Sequence, residues 1–394
     1  MAKKSSSKTK KPAVAKGEPL RFAHPFFTKT PPSQRAVSPN AGKRMLDHIQ
    51  GTLHPIPSLR SSKPMVLADI VGSQGAQEIE ASNQITIHIA GDTGVPESDH
   101  ETHQVLVAEA MAKDYDAGKP ETSPAFFLHL GDVIYGPNPA SYLDQFYRPY
   151  MHYPGKIVAI PGNHDGESDE KMKAFQDTFC AASQSVPAIA GSIFRQTMTQ
   201  PGVYWSLDTP LLQIVALYSN SAENPGFISG SQIGNAQKQW LVKTLQGFKT
   251  ARDSGPRKAL LFATHHPPYS SGGHSGSSEM LADIDDACHQ AGIMPDAFFS
   301  GHAHSIQRYT RSVSFGEKTL SIPYVVSGCG GHGDQNVASV THSNAPSNPR
   351  YEFAYKGWGY TTVVVTSKTL VITSYGVANN GESSKIDSVA LSLK

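Results

Sequence analysis

The sequence has 394 residues, which is enough for one large α/β domain with extensions or for two or three smaller domains. Hydrophobic residues make up 38% and charged residues 17% of the chain, which excludes collagen, coiled coils and wholesale disorder. No apolar run approaches the roughly 18–20 residues that a membrane span needs, so no membrane association is expected. With 34 glycines and 28 prolines, the composition predicts a soluble, loop-rich globular protein.

Charge is distributed unevenly along the chain. Residues 1–16 contain six of the 34 Lys and Arg residues and none of the 33 acids, so the remainder of the chain is net acidic. We expect residues 1–16 to form a disordered basic tail, and binding of nucleic acid is the disfavoured interpretation of it. The tail lacks the apolar stretch of a secretory signal and a twin arginine, which favours a cytoplasmic location. The three distant cysteines predict free thiols.

The chain order predicts an extension followed by one larger domain. Residues 17–83 are punctuated by proline and are expected to pack on the domain, with a helix near residues 41–49 and a strand at 65–70. Residues 84–394 are expected to form the domain itself. There, short apolar runs that predict buried strands alternate with helical patterns, as in an α/β fold with much parallel pairing. The predicted strands are 85–90, 125–130, 156–160, 211–217, 258–264 and 296–300, and the predicted helices are 102–117, 141–150, 170–182, 231–252 and 279–291.

After residue 306 the pattern changes to strand after strand. Strands are predicted at 307–313, 319–327, 360–366 and 370–375, and the last two flank a short turn typical of a hairpin. The predicted fold class is therefore α/β, with two mixed β-sheets in one domain and helices outside them.

Acidic and imidazole residues recur just after the predicted strands. One Gly-Asp turn means little, since both residues are common in turns, but five such strand ends need another explanation. The carboxyl ends of strands in open α/β sheets converge at one edge, where sites are found. The five segments are Gly91-Asp92-Thr93-Gly94, Gly131-Asp132-Val133-Ile134-Tyr135, Gly162-Asn163-His164-Asp165, His265-His266-Pro267 and Gly301-His302-Ala303-His304.

These side chains predict a site for two metal ions. Two cations roughly 3.5–4 Å apart need a shared carboxylate and a mixture of oxygen and nitrogen donors. That mixture is supplied by Asp92, Asp132, Asn163, His265, His302 and His304.

The order GD, GD, GNHD, H and G-H-x-H resembles the signature of the calcineurin-like metallophosphoesterases and extends over about residues 85–375. The first segment reads G-D-x-G and the second G-D-x-x-Y, which resembles the purple acid phosphatase branch, where the tyrosine binds a ferric ion. The resemblance implies a sandwich of two mixed β-sheets flanked by helices.

The resemblance also implies roles for single residues. Asp92, Tyr135 and His304 would bind the first metal, Asp132 would bridge, and the second metal would be bound by Asn163, His265 and His302. The expected ions are Fe(III) and a divalent Fe, Zn or Mn. Catalytic or substrate-facing roles are implied for His164, His266 and His274, and His332 is kept as a further candidate.

The expected function is hydrolysis of a phosphate ester, by an acid-phosphatase-like phosphomonoesterase in which metal-bound hydroxide attacks phosphorus in line. Two alternatives stay open. One is a phosphodiesterase or nucleotide-cleaving enzyme, and the other is a metal-containing binding module without turnover. A nuclease is disfavoured because the D-x-H form usual in that branch is absent. The sequence leaves the substrate, the second metal and the oligomeric state open.

Overall fold

Two β-sheets form the centre of the protein, and their strands converge on one edge. The computed structural model describes residues 39–96, 102–116, 119, 122–167, 171–340 and 347–393. The predicted basic tail and the first part of the extension, up to residue 38, lie outside the described residues.

The larger sheet has eight strands in the order β1-β5-β6-β7-β8-β10-β9-β11. Strands β6, β7, β8 and β10 are parallel to one another in turn, whereas β5, β9 and β11 pair antiparallel with their neighbours β6, β10 and β9. The strands are β1 (Met65–Val66), β5 (Trp205–Asp208), β6 (Leu212–Ala216), β7 (Ala259–Thr264), β8 (Ala297–Ser300), β9 (Ile306–Phe315), β10 (Lys318–Ser327) and β11 (Arg350–Tyr355).

The smaller sheet has six strands in the order β14-β13-β12-β2-β3-β4. Strands β2, β3 and β4 are parallel, and β12 joins β2 and β13 to each other by antiparallel pairing. Its strands are β2 (Gln84–Ala90), β3 (Phe126–His129), β4 (Lys156–Ala159), β12 (Gly359–Thr366), β13 (Thr369–Val377) and β14 (Ser383–Ser392). The predicted hairpin is the β12–β13 pair, and the predicted fold class of two mixed sheets with outer helices is confirmed.

Helices flank both sheets. Helix α3 lies against β12 and β13, and α5 packs on α6 beside the larger sheet. The described helices are α1 (Pro39–Thr52), α2 (Ala68–Ser82), α3 (Thr102–Ala112), α4 (Lys173–Phe179), α5 (Ala236–Ser254) and α6 (Ser278–Ala291). Where the sequence predicts a helix over 141–150, the structure has a π-helical turn at Leu143–Tyr147.

The prediction of a strand over residues 65–70 is wrong beyond its first two residues. The carboxylate of Asp69 accepts a hydrogen bond of 2.8 Å from the backbone N–H of Val66, and Leu67 already has helical backbone angles. The chain therefore turns into α2. A short apolar run such as this one fits a strand or a buried helix equally well, so its periodicity does not decide between them.

The burial of the central strands explains why continuous apolar runs in the sequence predicted them. Every residue of β3, β7 and β8 is buried, because sheet or helix covers both faces of these strands. Parallel strands in that position read as continuous apolar runs, and their burial fixes where each one ends. The carboxyl ends of β2, β3, β4, β7 and β8 thus meet at one edge of the two sheets.

Residues 39–83 contact the rest of the chain at several points. Met65 pairs with Leu207 of β5, and Leu53 packs in a small buried cluster with Phe227 and Ile233. The guanidinium of Arg60 donates to the backbone carbonyls of Ala181, Thr199 and Gln200. The division of the chain at residue 84 stays a prediction.

Candidate metal centre

All seven residues proposed as metal ligands lie buried at the shared sheet edge. Asp92 follows β2, Asp132 follows β3, Asn163 follows β4 and His265 follows β7. The segment between β8 and β9 carries His302 and His304. The two most accessible of the seven are Tyr135, 8% exposed, and His304, 7% exposed. Strands that are far apart in sequence therefore deliver oxygen and nitrogen donors to one place that excludes bulk water.

Three of these residues have left-handed backbone angles. The φ values are 57° at Asp92, 53° at Asp132 and 68° at His302. Such angles are uncommon outside glycine and cost free energy, so the surrounding structure must hold them.

Two glycines allow the loops to approach each other. Gly131 has φ of +99°, and a Cβ there would lie 2.5 Å from the backbone nitrogen of Gly162. A Cβ on Gly162 would collide with the Oδ1 and backbone nitrogen of Asp132. Because the loops touch at these points, Asp132 lies directly beside the segment that carries Asn163.

The first group of donors consists of Asp92, Tyr135 and His304. The Tyr135 hydroxyl lies 3.2 Å from Nε2 of His304 and 3.4 Å from Oδ1 of Asp92. Nε2 of His304 lies 3.5 Å from the same Asp92 oxygen. The three donor atoms thus face one another, as atoms around a single cation would.

The second group of donors consists of Asn163, His265 and His302. Nε2 of His265 lies 3.0 Å from Oδ1 of Asn163 and 3.1 Å from Nδ1 of His302. It also lies 3.4 Å from Oδ2 of Asp132. Donor atoms of Asp132, His265 and His302 all lie within 4.8 Å of one another. Asp132 is therefore in contact with the second group.

Asp132 also faces the first group. Burial raises the pKa of Tyr135 well above its usual range, and the charges of Asp132 and Asp92 raise it further. The phenol is thus a neutral hydroxyl unless a strongly charged cation displaces its proton. Asp132 thus contacts the second group and acts electrostatically on the first, which is consistent with the expected bridging role.

The orientation of the imidazoles tests whether a metal would fit. Nδ1 of His265 donates to the carbonyl of Leu130 at 2.9 Å, and Nε2 of His302 donates to the carbonyl of Glu223 at 2.7 Å. In the first group, Nδ1 of His304 donates to the carbonyl of Gly333 at 2.9 Å. Outer hydrogen bonds of this kind fix the tautomer of metal-binding histidines. The remaining nitrogen of each ring then turns its lone pair inward.

The inward lone pairs need a positive charge between them. The Asn163 oxygen and the free nitrogens of His265 and His302 are all acceptors, yet they lie 3.0–3.1 Å apart. Two donors that are each about 2.1 Å from one ion and at right angles to it are separated by about this distance. The residues present therefore fit a cation in each group, with Asp132 between the two.

In the metal-free protein, a proton on His265 supplies part of the positive charge that these donors need. Burial would lower the pKa of His265, but the adjacent charge of Asp132 outweighs burial and raises the pKa to about 9. Burial lowers the pKa of His302 well below its usual value, and its imidazole neighbours lower it further. A single shared proton beside Asp132 follows from this, and a bound metal must displace it.

His164 lies at the opening of the site. Its backbone N–H donates to Oδ1 of Asp132 at 3.0 Å, and its ring stands 4.5 Å from the ring of Tyr135. Nδ1 lies 3.1 Å from Oε2 of Glu167, and the side chain is 28% exposed. Burial opposes protonation, but Asp132 and Glu167 outweigh it and raise the pKa of His164. The ring can therefore hold a proton beside the metal donors.

The other two predicted catalytic histidines have different positions. His266 is fully buried; its Nε2 donates to the carbonyl of Ala222 at 2.8 Å, and its Nδ1 lies 2.8 Å from the hydroxyl of Ser219. Both nitrogens thus bind the protein, and the ring lies tilted against His302 with the ring centroids 4.4 Å apart. His274 lies 4.0 Å from the His302 ring, with nitrogens near the amides of Asn224 and Gln335.

Several supporting residues had no sequence signal of their own. Glu167 orients His164 from three positions along the chain, and Ser219 holds His266 from the loop after β6. Asp165 accepts hydrogen bonds from the backbone N–H groups of Gly162, Val133 and Ile134, and so joins two of the loops. Only its place in the GNHD segment could have indicated a role.

The stretch after β10 covers the first group. The backbone N–H of His332 donates to the carbonyl of Asp92 at 2.9 Å. The His332 ring stacks on Tyr135 with centroids 3.5 Å apart and an angle of 7° between the planes. Nδ1 of His332 donates to the carbonyl of Gly94 at 2.8 Å. His332 therefore packs against the phenol that the first metal would bind.

Comparison with known proteins gives a family. The sequence model of the calcineurin-like phosphoesterase family matches residues 85–305, which is more than half of the chain. A search of curated proteins gave no match. The family predicted from the five segments is therefore confirmed, and it covers every strand end that carries a predicted ligand.

Solved structures give the same fold at low identity. A purple acid phosphatase from seeds of yellow lupin (Lupinus luteus) is 15% identical with a TM-score of 0.53, over 78% of this chain and 54% of the lupin chain. GAP50, the anchor in the inner membrane complex of Plasmodium, is 14% identical with a TM-score of 0.52, over 79% of this chain and 89% of GAP50. This chain thus spans about half the length of the lupin enzyme. At these identities the likeness shows the fold alone.

None of the described helices combines the length and the apolar character that a membrane-spanning helix needs.

Proposed function

This chain belongs to the calcineurin-like phosphoesterase family, and we propose that it is a two-metal phosphoric ester hydrolase that acts on phosphomonoesters. One observation carries the proposal. Seven buried donors from five strand ends form two groups, and Asp132 contacts the second group while its charge acts on Tyr135 of the first. Such an arrangement serves in-line displacement at phosphorus, where two cations neutralise charge on the phosphoryl group.

The metal assignment follows the charges of the two groups. Asp92 and Tyr135 together offer two anionic oxygens to the first ion, which favours a trivalent cation such as Fe(III). Asn163, His265 and His302 are neutral donors and favour a divalent Fe, Zn or Mn. When bound, the two cations would supply Lewis acidity toward the phosphoryl oxygens and lower the pKa of a water molecule.

His164 is the proposed proton donor. Its pKa is raised by Asp132 and Glu167, which favours the protonated ring. Glu167 holds Nδ1 at 3.1 Å, which leaves Nε2 for the oxygen of the leaving alcohol. We assign His266 a positioning role, because both of its nitrogens bind the loop after β6. His274 is proposed to border the substrate beside His302.

The test is an assay of metal-loaded protein with 4-nitrophenyl phosphate and bis(4-nitrophenyl) phosphate. We expect the monoester to have the higher kcat/KM, and Asp132→Ala to abolish both activities. A higher kcat/KM with the diester would make the protein a phosphodiesterase. No turnover of either compound by protein that holds two metal ions would support a binding module and contradict the proposal.

A further inference from the structure

The loop after β6 carries a carboxylate at the rim of the metal centre. Its backbone is held from below, because Nε2 of His302 donates to the carbonyl of Glu223 at 2.7 Å. The next residue, Asn224, accepts hydrogen bonds from the backbone and hydroxyl of Ser275. The Glu223 side chain is nevertheless 66% exposed. A rigid backbone thus presents this carboxylate to solvent directly above a proposed metal ligand.

The charge of Glu223 has no cationic partner among the described residues. Its Oε1 lies 3.6 Å from Nδ1 of His274, which is too long for a hydrogen bond. That nitrogen already faces the side-chain amide of Asn224 at 3.2 Å. In the described part of the chain, no lysine or arginine forms an ion pair with Glu223, although many other surface acids have such partners.

Acidic side chains lie on two segments near the metal donors, and Glu223 is one of them. Glu167 adds a second acid there, 46% exposed and in contact with His164. These exposed acids give the surroundings of the metal donors a negative charge, which would attract a cationic group on a substrate.

We propose that Glu223 is a specificity-determining residue that binds an ammonium group on the alcohol portion of the substrate. The inference rests on the proposed function and names its substrate class as phosphate monoesters of amino alcohols. In the reaction, water oxygen bonds to phosphorus as the bond from phosphorus to the alcohol oxygen breaks. That oxygen takes a proton, which gives inorganic phosphate and the free amino alcohol. Glu223 keeps its charge throughout.

The test compares two substrates of the same shape. Phosphocholine carries a quaternary ammonium, and 3,3-dimethylbutyl phosphate has a carbon atom in place of that nitrogen. An ion pair at an exposed site is worth about 0.2–1 kcal/mol, so we expect phosphocholine to have a kcat/KM about 1.4- to 5-fold higher. The difference should arise in KM and should shrink as salt is added, because salt screens exposed charges.

Glu223→Gln is the informative variant, since it keeps the size of the side chain and removes the charge. We expect it to abolish the preference by raising KM for phosphocholine. The kcat for 3,3-dimethylbutyl phosphate, which lacks the ammonium group, should be unchanged. Glu317→Gln is the matched control, because Glu317 is an exposed acid in the β9–β10 turn, at the end of that hairpin opposite the metal centre. The control should keep the wild-type preference.

The outcomes separate this inference from the proposed function. Equal hydrolysis of both esters by the wild type, or equal gains in kcat with both in Glu223→Gln, would overturn the role of Glu223 and leave the hydrolase proposal standing. If no ester is turned over, the hydrolase proposal fails, and equilibrium binding of the two esters to metal-loaded protein tests Glu223 by itself. Tighter binding of phosphocholine, lost in Glu223→Gln, would support the inference, and equal binding would overturn it.

Discussion

The two halves of the centre differ in charge and in what supports them. The first group combines a carboxylate and a phenol with one imidazole, whereas the second combines an amide with two imidazoles. The first is covered by the stretch after β10, which bonds to Asp92 and His304 largely through backbone groups. The second is covered by the loop after β6, which several side chains hold. One half therefore offers a carboxylate and a phenol oxygen, and the other offers neutral donors beside a loop that side chains hold.

The shared residue offers the largest effect. Asp132→Ala removes the proposed bridging ligand, which contacts the second group and acts electrostatically on the first, so we expect loss of both metals. Activity should fall by at least about 10³-fold, because a bound metal contributes several kcal/mol to the transition state. Metal analysis together with the 4-nitrophenyl phosphate assay checks this. Retention of one metal would show that the two groups are independent.

His164→Ala tests the proposed proton donor, which lies beside Asp132 and Tyr135 and is not a proposed metal ligand. We expect kcat to fall by about 10²–10⁴-fold, which is the usual contribution of proton transfer, while metal content stays the same. Glu167→Gln is the companion variant, since it disturbs only the Nδ1 partner. A loss of metal in proportion to activity would instead make His164 structural.

Tyr135→Phe removes one donor from the first group and leaves the second group unchanged. It keeps the ring that stacks on His332 and removes the oxygen that faces Asp92. We expect the affinity for iron to fall at least about tenfold and the visible absorption of a ferric phenolate to disappear, while the second metal is retained. Absorption spectra and metal analysis of the same sample measure both. An unchanged visible band would exclude Tyr135 as the source of colour.

Metal binding to the second group should depend on pH, because the metal displaces a proton from His265. The pKa of His265 is raised to about 9 in the metal-free protein, above its ordinary value of about 6.5. That proton stabilises the metal-free fold fully below about pH 6.5, and the stabilisation is lost as the pH rises through 9. Metal affinity should therefore increase about tenfold per pH unit from 7 to 9 and then level off. Affinity independent of pH in this range would contradict the assignment.

The sequence predicted strands best where burial is complete. Strands β2, β3, β7 and β8 were predicted within one or two residues of their ends, since both faces are covered and the apolar run is continuous. Strand β14 was missed, because it lies at a sheet edge and half of its residues are polar and exposed. The helix α2 was hidden by an apolar run that fits either element.

At the site, the sequence predicted which residues meet and could not predict how they are held. The left-handed backbone angles at Asp92, Asp132 and His302 depend on contacts between distant loops. The bonds that fill both nitrogens of His266 come from Ser219 and Ala222, and no spacing rule connects that loop with the strand β7. The position of Glu223 at the rim of the metal centre likewise depends on contacts between distant loops, so it could be recognised only from the structure.

The number and identity of the bound ions test the central claim most directly. Elemental analysis of active protein purified without chelators should find two metal ions per chain, at least one of them iron when iron is supplied during growth. Anomalous scattering from a crystal should then place one ion between Asp92, Tyr135 and His304, and the other between Asn163, His265 and His302. A single ion in fully active protein, or none, would contradict the two-metal account.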